Sequence, residues 1–475
     1  MEETMNEVAY PEELSIFEKP VYDSGVKQAR CITYYPVNDF STQGVIQFRI
    51  PNNSGAYLDL RRTRLHLSCK ILHKDGSPLV SFLEEKEKAK MARLRAKGTS
   101  QEGGSEGTSP GDKPQGDEPA AEDDFKADIV HPVNNFMNSL WSRVDIALQD
   151  KILTNSDDCY PYEAYIKTLL MTKKEERVAL QSQGFFEETA KYESAWAVSK
   201  PETSNYKRGI LFDKSREVDL SGPLCSSVME IPKLIPNGVP LSVTLHRSKD
   251  QFCLFSPMRE PKPDYKIVIT KASLSVCTVN IAPEIAIAHS EILATKPAMF
   301  PYTKTEVKKF TLGRGVYSGS INDPFQGRIP SEVIIGMVKD SAQNGSSYDD
   351  DPFFFENAKL NFIGVTVDGQ SMGIDPLQPK YGEKPEEGNY VEAYETLNGI
   401  CQDKVNPITR MAYPKGFTLY RFHEEWNESL QVKKMGNMSI SLRFDEALKE
   451  GMCVIVYAKF PGGIKIDKTR AVYEM

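Results

Sequence analysis

The chain has 475 residues, 40% of them hydrophobic and 10% aromatic, and a formal net charge of −8. This length predicts two domains or one duplicated unit, because a single hydrophobic core stops growing at about 250–300 residues. The negative balance argues against a protein that coats nucleic acid, since phosphate binding needs clustered Lys and Arg.

The N-terminal region and the cysteines bear on the cellular compartment. The first twenty residues are acidic and lack the apolar core of a secretory signal. No window approaches the roughly 18 uninterrupted apolar residues of a membrane span. We therefore expect intracellular synthesis under reducing conditions and no disulfide framework. The eight scattered cysteines are Cys31, Cys69, Cys159, Cys225, Cys253, Cys277, Cys401 and Cys453.

Residues 1–27 form a predicted N-terminal arm, rich in Glu and Pro, with apolar side chains at Leu14, Ile16 and Phe17. A frayed terminus and a docking arm both fit this composition. Residues 84–126 differ in kind: a charge-dense, helix-favouring run is followed by Gly, Ser, Pro and acidic residues. Such a composition cannot offset its ordering entropy, so we predict a disordered acidic surface insertion between two strands.

Strand patterning with a period of two starts after the arm. Residues 45–50 form one predicted strand, residues 57–60 begin another element, and residues 65–71 alternate cleanly. A short turn follows at Lys74-Asp75-Gly76. The side chains of the third segment that are predicted to be buried are Leu65, Leu67, Cys69 and Ile71.

The stretch from residue 130 to residue 170 is the most informative part of the first half. Val144, Ile146 and Leu148 alternate with smaller or polar residues, which predicts a strand with these three in a core. A Gln149-Asp150 corner and a short second strand follow. Tyr160-Pro161-Tyr162 opens a predicted helix, whose best candidate span is residues 164–183.

The remainder of the first half is less regular. Residues 184–222 are predicted to be a long excursion, and strands are predicted over residues 229–235 and 239–245. Residues 266–276 form a long strand broken in the middle. Residues 281–305 contain a helix-like run stopped by Pro297 and Pro301, which marks the boundary between the halves.

The second half repeats the same style. The Asp368-Gly369 pair predicts a tight hairpin, and long polar connections are predicted at residues 339–351 and 371–398. Many strands with few helices indicate antiparallel sandwiches, one per half. The predicted strands are residues 308–312, 332–338, 360–367, 419–423, 438–444 and 453–460.

Three groups of residues could in principle carry chemistry, and the sequence favours a structural role for each. Gly313–Gly319 misses the spacing of a phosphate-binding loop and is predicted to be a strand-end turn. Asp157-Asp158 and Asp349–Asp351 lack the ordered oxygen spacing of a calcium loop, so solvated turns are expected. Arg61, Arg62 and Arg64 are too few to track nucleic acid, and Asp59 lies close enough to neutralise part of their charge.

The six histidines never fall at the spacing of metal ligands, and His66 and His246 are predicted to be solvated strand residues. We therefore predict no catalytic residues, no cofactor-binding residues, no metal ligands and no cofactor, and hence a protein that is not an enzyme. The histidines are His66, His73, His131, His246, His289 and His423.

Several spaced segments resemble the double jelly-roll major capsid protein (hexon) of Polinton/Maverick elements, adintoviruses and adomaviruses. The similarity runs in order over most of the chain and omits residues 84–126. The segments are residues 35–60, the stretch 130–170, LIPNGV through RSKD at 234–250, LNFIGVTVDGQ at 360–370, and VIVYAKF at 454–460 with Ile466-Asp467.

The resemblance implies an all-β fold of two side-by-side antiparallel β-sandwiches, a double jelly roll with long loops and few short helices. The first jelly roll would span residues 28–280, with an inter-domain connection at 281–305 and a second jelly roll with the C-terminal segment at 306–475. It also implies a homotrimer that tiles an icosahedral shell beside neighbouring capsomers, penton and minor capsid proteins. No specific nucleic-acid binding is implied. The expected location is the virion, after synthesis in host cytoplasm and assembly in the nucleus.

Two other classes stay open. One is a penton-like or minor capsid protein at the vertex, which would form pentamers. The other is a domesticated sandwich-type binding module, such as a carbohydrate-binding protein. The dispersal of Trp141, Trp196 and Trp426 disfavours a lectin site, which would gather aromatic residues in one loop cluster.

Overall fold

A computed structural model of the chain gives its architecture, which is mostly β-sheet with a smaller helical content. The described residues are 25–39, 44–52, 55–81, 84, 128–154, 157–188, 203–257, 264–384, 387–398, 400, 408–423 and 434–475. Most of the predicted arm, almost all of the predicted acidic insertion, Cys401, Trp196 and Trp426 lie outside them.

The described residues of the first half of the chain, up to residue 281, contain ten strands. Two four-stranded antiparallel sheets hold eight of them, in the orders β1-β10-β3-β7 and β2-β8-β5-β6, and β4 pairs with β9. The strands are β1 Val26–Tyr34, β2 Val45–Ile50, β3 Tyr57–His73, β4 His131–Pro132, β5 Trp141–Leu148, β6 Lys151–Ile152, β7 Val218–Pro223, β8 Leu241–Arg247, β9 Leu254–Phe255 and β10 Tyr265–Ile281.

Eleven further strands lie in the described part of the second half. One sheet has the order β11-β20-β14-β17 with β21 added on β20, a second has the order β12-β19-β15-β16, and β13 pairs with β18. The strands are β11 Ala298–Leu312, β12 Ser318–Asn322, β13 Arg328–Ile329, β14 Glu332–Lys339, β15 Leu360–Val367, β16 Gln370–Ser371, β17 Leu419–His423, β18 Lys434–Met435, β19 Met438–Phe444, β20 Met452–Ile466 and β21 Val472–Glu474.

The helices are short and lie in the connections. They are α1 Phe136–Ser139, α2 Tyr160–Met171, α3 Lys174–Arg177, α4 Ser204–Leu211, α5 Asp250–Cys253, α6 Pro283–Thr295, α7 Asp340–Gln343 and α8 Val391–Glu395, with 3-10 turns at Val178–Gln183, Asp213–Ser215 and Ser227–Glu230. Of these, α6 directly joins the last strand of the first half to the first strand of the second.

The core follows the predicted alternation. Val144, Ile146 and Leu148 of β5 are buried, as predicted. In β3 the predicted inward face is also buried, and each of its members is at most 2% exposed. Successive strand side chains point to opposite faces, so β3 and β5 each bury one apolar face, whereas β14 is buried on both faces. The confirmed residues of β3 are Leu65, Leu67, Cys69 and Ile71.

Both predicted tight hairpins are confirmed. The turn between β15 and β16 has positive φ at Asp368 and at Gly369, as a type I′ turn requires. The corner between β5 and β6 also places Gln149 in the left-handed region, with Leu148 paired to Lys151.

Several predicted elements differ from the structure. The predicted helix over residues 164–183 begins at Tyr160 and ends at Met171, where Thr172 becomes extended, and α3 and a 3-10 turn replace its second part. The predicted strand at 229–235 is wrong. A 3-10 turn ends at Glu230, and Pro232 has no N–H for a sheet ladder.

Boundaries also shift. The segments at residues 57–60 and 65–71 belong to one strand, β3, which pairs with β10 through irregularities in register. The excursion at 184–222 contains α4 and part of β7, and β11 already begins at Ala298 inside the predicted 281–305 connection. The division into domains at 28–280 and 306–475 stays a prediction.

The expectation that the chain has no disulfide is wrong. Cys31 of β1 and Cys277 of β10 face each other directly across the antiparallel ladder and are joined by a disulfide bond. The two cysteines are 246 residues apart in the sequence, so no local pattern predicts that they pair. The remaining described cysteines are free, and all but Cys225 are buried.

Candidate functional site

The two halves meet along a buried contact, which we call the seam, formed by α2 on one side and by Phe353 and β11 on the other. The ring of Tyr165 stacks on Phe353 with 4.3 Å between centroids. Tyr162 meets the same ring edge-on at 5.8 Å. Tyr162, Tyr165 and Phe353 are among the largest fully buried side chains. A helix of the first half thus completes the core of the second.

The sequence of α2 explains its position. Pro161 stands in the first turn, where its fixed φ suits a helix start and its missing N–H costs nothing. Nine of the twelve side chains are buried. A helix that is apolar on most sides is stable only inside a protein, so α2 lies between the two halves and not on the surface.

One carboxyl group lies in the seam. Burial raises the pKa of Glu163 to about 8, against a lowering contribution from Lys167 and a further rise caused by Glu230. The ammonium of Lys167 lies 2.6 Å from a carboxylate oxygen of Glu230. Near neutral pH, Glu163 is therefore held largely protonated.

Polar contacts join the halves at further places. Lys308 Nζ donates to Asp157 Oδ2 at 2.6 Å. The hydroxyl of Tyr348 donates to Asp264 Oδ1 at 3.2 Å, and the carbonyl of Tyr348 accepts from Ser256 N at 2.8 Å. The ring of Tyr348 meets Tyr265 edge-on. The interface between the halves therefore extends well beyond α2.

From the sequence, Tyr162 is predicted only as part of a helix start and Asp157 only as part of a turn, and neither Tyr165 nor Phe353 is a candidate residue. The run Phe353-Phe354-Phe355 is the signal that could have found them, because three consecutive aromatic residues outside a strand need a large apolar surface to cover them. Their partners on α2 lie far away in sequence, so no local pattern connects the two.

The acidic residues Asp349–Asp351 border a cleft of about 490 Å³ at one end of the second half. Lys339 and Lys359 share its lining with the carboxylates, so both signs of charge are present. Asp350 accepts from Ser341 Oγ at 2.6 Å, and Asp351 accepts from Phe353 N at 2.9 Å. These two carboxylates therefore organise the loop. In the described ranges no group of three or more His, Cys, Asp or Glu is arranged to hold a metal ion.

The remaining sequence candidates have structural roles. Gly313–Gly319 contains the turn between β11 and β12, as predicted, and Arg62 pairs with Asp59 at 3.4 Å. The prediction that His246 is solvated is wrong. Its Nε2 lies 2.8 Å from Asp145 Oδ2 and 3.1 Å from Arg143, and only 27% of its side chain is exposed. His66 is half-buried.

The free thiols among the described cysteines are poor nucleophiles. Burial raises the pKa of Cys69, Cys159, Cys253 and Cys453 to about 12, and that of Cys225 to about 11. Since the thiolate is the reactive form, these cysteines are structural at neutral pH.

Large apolar side chains are exposed on several elements of the described surface. Single exposed residues are ordinary, but a cluster of them marks an interaction surface. A membrane span is a separate question: none of the helices that the structure describes is both long enough and apolar enough to cross a membrane. The most exposed large apolar residues are Tyr35, Val37, Val178, Ile287, Tyr317 and Met435.

The chain was compared with known proteins by sequence and by fold. No family model matches the chain. A curated protein of Caenorhabditis elegans, described as uncharacterized, is 22% identical over 450 residues, which cover 91% of this chain and 94% of that protein. The similarity therefore runs over nearly the whole length of both.

Solved structures are similar over the whole length. A chain of the Sputnik virophage, solved by cryo-EM, matches with a TM-score of 0.60 and 12% identity, covering 99% of this chain and 93% of that chain. The Faustovirus major capsid protein matches at 0.56 and 8%, covering 98% and 92%. The mavirus major capsid protein matches at 0.53 and 12%, covering 100% and 96%. The predicted fold is therefore confirmed: this chain is a double jelly roll, the fold of viral major capsid proteins.

Proposed function

We propose that the chain is a structural major capsid protein, three copies of which form a pseudo-hexameric trimer that tiles an icosahedral viral shell. The observation that carries this proposal is the coverage of the mavirus and Faustovirus major capsid proteins, above 90% of both chains in each comparison. A match over a single jelly roll would support only a sandwich domain of unspecified use.

The architecture suits this role physically. Two sandwiches side by side, repeated by a threefold axis, give a six-lobed outline that packs in a hexagonal lattice. The seam supports this, because Tyr162, Tyr165 and Phe353 hold the two sandwiches together within one copy. A permanent capsomer needs interfaces that bury on the order of 2,000–5,000 Å². In this proposal the long loops and the exposed apolar residues form part of those interfaces.

Within this proposal the first jelly roll spans residues 28–280 and the second spans 306–475. The partners are two further copies, neighbouring capsomers, and penton and minor capsid proteins. The chain acts in the virion and is not an enzyme, since a shell subunit needs complementary surfaces and no reactive centre. Synthesis in host cytoplasm and assembly in the nucleus complete the proposal.

The lineage belongs to the proposal as well. The nematode relative, similar over nearly its whole length, supports a gene carried by a mobile element of the Polinton/Maverick type. The same relative favours a second candidate, a capsid-derived protein that an animal host has domesticated as a binding module. The two candidates differ in assembly.

The deciding experiment is the mass of the purified protein in solution by light scattering, with negative-stain imaging of the same sample. We expect three times the 53.4 kDa of one chain and a hexagonal outline. A pentamer would move the assignment to the vertex. A monomer at every protein concentration would overturn the shell proposal and leave the domesticated module.

A further inference from the structure

Helix α6, residues Pro283–Thr295, is apolar yet lies on the surface. Its sequence is PEIAIAHSEILAT, and Leu293 is its one buried residue. Ile287 is 60% exposed and Ile292 is 58% exposed. A helix this apolar is normally covered, because each exposed Ile forgoes a large part of its burial free energy.

The uncovered surface of α6 has a defined pattern. His289 is exposed but contacts the neighbouring strand β3, since its Nδ1 lies 3.1 Å from the hydroxyl of Tyr57. Ile285, Ala288 and Ile292 follow one another at i, i+3 and i+7, and so form a stripe along one side of the helix. We call these three residues the α6 stripe.

The described chain begins beside this helix. The carbonyl of Gly25 accepts a hydrogen bond from the backbone N–H of Ala282, the residue that caps α6. Gly25, to which residues 1–24 are covalently attached, therefore lies at the N-terminal end of α6. Phe17 lies eight residues before Gly25, a stretch that can span up to roughly 26 Å. Since α6 is about 20 Å long, the whole stripe is within reach.

The composition of residues 1–24 fits this surface. Leu14, Ile16 and Phe17 supply apolar side chains, and the segment has six Glu and one Asp against one Lys. Three exposed lysines lie near the two ends of α6: Lys296 follows the helix, Lys27 lies two residues after Gly25, and Lys465 pairs opposite Met299, four residues beyond its last residue. These three lysines are opposite in charge to the segment, whereas Glu284 and Glu291 on α6 itself have the same sign as the segment.

We propose that residues 14–17 of the same copy pack on the α6 stripe and cover it. Docking of a tethered segment is intramolecular, so no translational freedom is lost. The proposal does not depend on the shell function, because it concerns one copy. Two other occupants fit less well. A helix of 13 residues offers well under the roughly 800 Å² per partner of a stable protein interface. A membrane surface is disfavoured by Glu284 and Glu291 on the outer face of α6, where membrane-bound helices have Lys or Arg.

The test uses the full-length chain and a glutamyl endopeptidase, because Glu12 and Glu13 immediately precede the proposed docking residues. The rate of release of the N-terminal peptide is followed by mass spectrometry. The variants are Ile292→Ser in the stripe, Phe17→Ser in the segment, and both together. The matched control is Val178→Ser, which alters an apolar residue that is 68% exposed on another surface.

We expect wild type to be cleaved about tenfold or more slowly than a free peptide of residues 1–24, as burial of one or two apolar side chains implies. Ile292→Ser and Phe17→Ser should each raise the rate of cleavage. The double variant should be cleaved little faster than either single variant, and Val178→Ser should be cleaved at the wild-type rate. Cleavage of wild type at the free-peptide rate would overturn the proposal. So would protection that disappears on dilution, which would indicate a neighbouring copy, or Ile292-dependent binding to phosphatidylserine-containing vesicles.

Discussion

Tyr165 and Phe353 lie in parallel stacking contact, with 4.3 Å between their ring centroids and 10° between their planes. One belongs to the first half of the chain and the other to the second, and both are buried. This contact makes the seam part of the hydrophobic core. We therefore expect the two sandwiches to depend on each other for stability.

Phe353→Ala should lower the free energy of unfolding by about 3–5 kcal/mol, because it removes a large buried ring and leaves a cavity in the seam. The measurement is urea unfolding followed by circular dichroism. Tyr317→Ala is the control, since that ring is largely exposed, and it should leave the midpoint nearly unchanged.

A double-mutant cycle on Tyr165→Leu and Phe353→Leu should isolate a coupling of about 0.5–1.5 kcal/mol from ring stacking. Additive losses, with no coupling, would show that the two rings do not stabilise each other.

Glu163 should make the protein less stable as the pH rises from about 4.5 to about 8. Burial raises the pKa of this carboxyl from the ordinary 4.5 to about 8 in the folded chain. Between these values the folded state holds one more proton than the unfolded state, so stability falls with increasing pH, by no more than about 1.4 kcal/mol per pH unit.

The measurement is the free energy of unfolding at a series of pH values for wild type and for Glu163→Gln. The substitution removes the titrating group and keeps the size of the side chain, so this part of the slope should disappear. An unchanged slope in Glu163→Gln would assign the pH dependence to another group.

Glu332 should be essential to the stability of the second half. It lies on β14 and accepts from Arg421 Nε and Lys459 Nζ, each at 2.7 Å, on the two neighbouring strands. Burial alone would raise the pKa of this carboxyl, but the two cations outweigh burial and lower it. Glu332→Gln leaves two half-buried cations without a counter-charge, which should cost about 3–5 kcal/mol.

The unfolding midpoint of Glu332→Gln is compared with that of Glu446→Gln, which breaks the exposed ion pair with Lys359. We expect the exposed pair to have little effect, since solvent screens it. Equal effects of the two substitutions would contradict the role given to Glu332.

Gly369→Ala should destabilise the protein by about 1–2 kcal/mol through the backbone alone. A Cβ at this position would touch nothing within 4 Å, but its φ of +83° lies in the left-handed region. Gly313→Ala is a matched control, because a Cβ there also meets nothing and its φ is not positive. It should be neutral or slightly stabilising. Thermal unfolding of both variants gives the comparison.

The end of a strand is predicted best where turn residues follow the strand directly. The segment 360–367 was predicted with the bounds that the structure has, because Asp368-Gly369 ends it. The prediction of a strand at 229–235 is wrong because its first residues belong to a 3-10 turn and Pro232 has no N–H for strand pairing. The periodicity of apolar residues does not show whether a segment has a neighbouring strand with which to form hydrogen bonds.

The seam and the Cys31–Cys277 bridge could not be read from the sequence. Each joins residues far apart in the chain, and what brings them together is the order of strands in the sheets. The resemblance to capsid proteins supplied the double architecture, yet it named neither Tyr165 nor Phe353. Such contacts follow from topology, which one sequence does not specify residue by residue.

The seam can form only after both of its sides have been translated. At ribosomal rates of about 5–20 residues per second, the roughly 190 residues between Tyr165 and Phe353 take about 10–40 s to appear. During this interval the nascent first half presents the aromatic side of α2 without its partner. Chaperone demand should therefore peak before residue 353 is translated, and release of a truncated first half should yield an aggregating species.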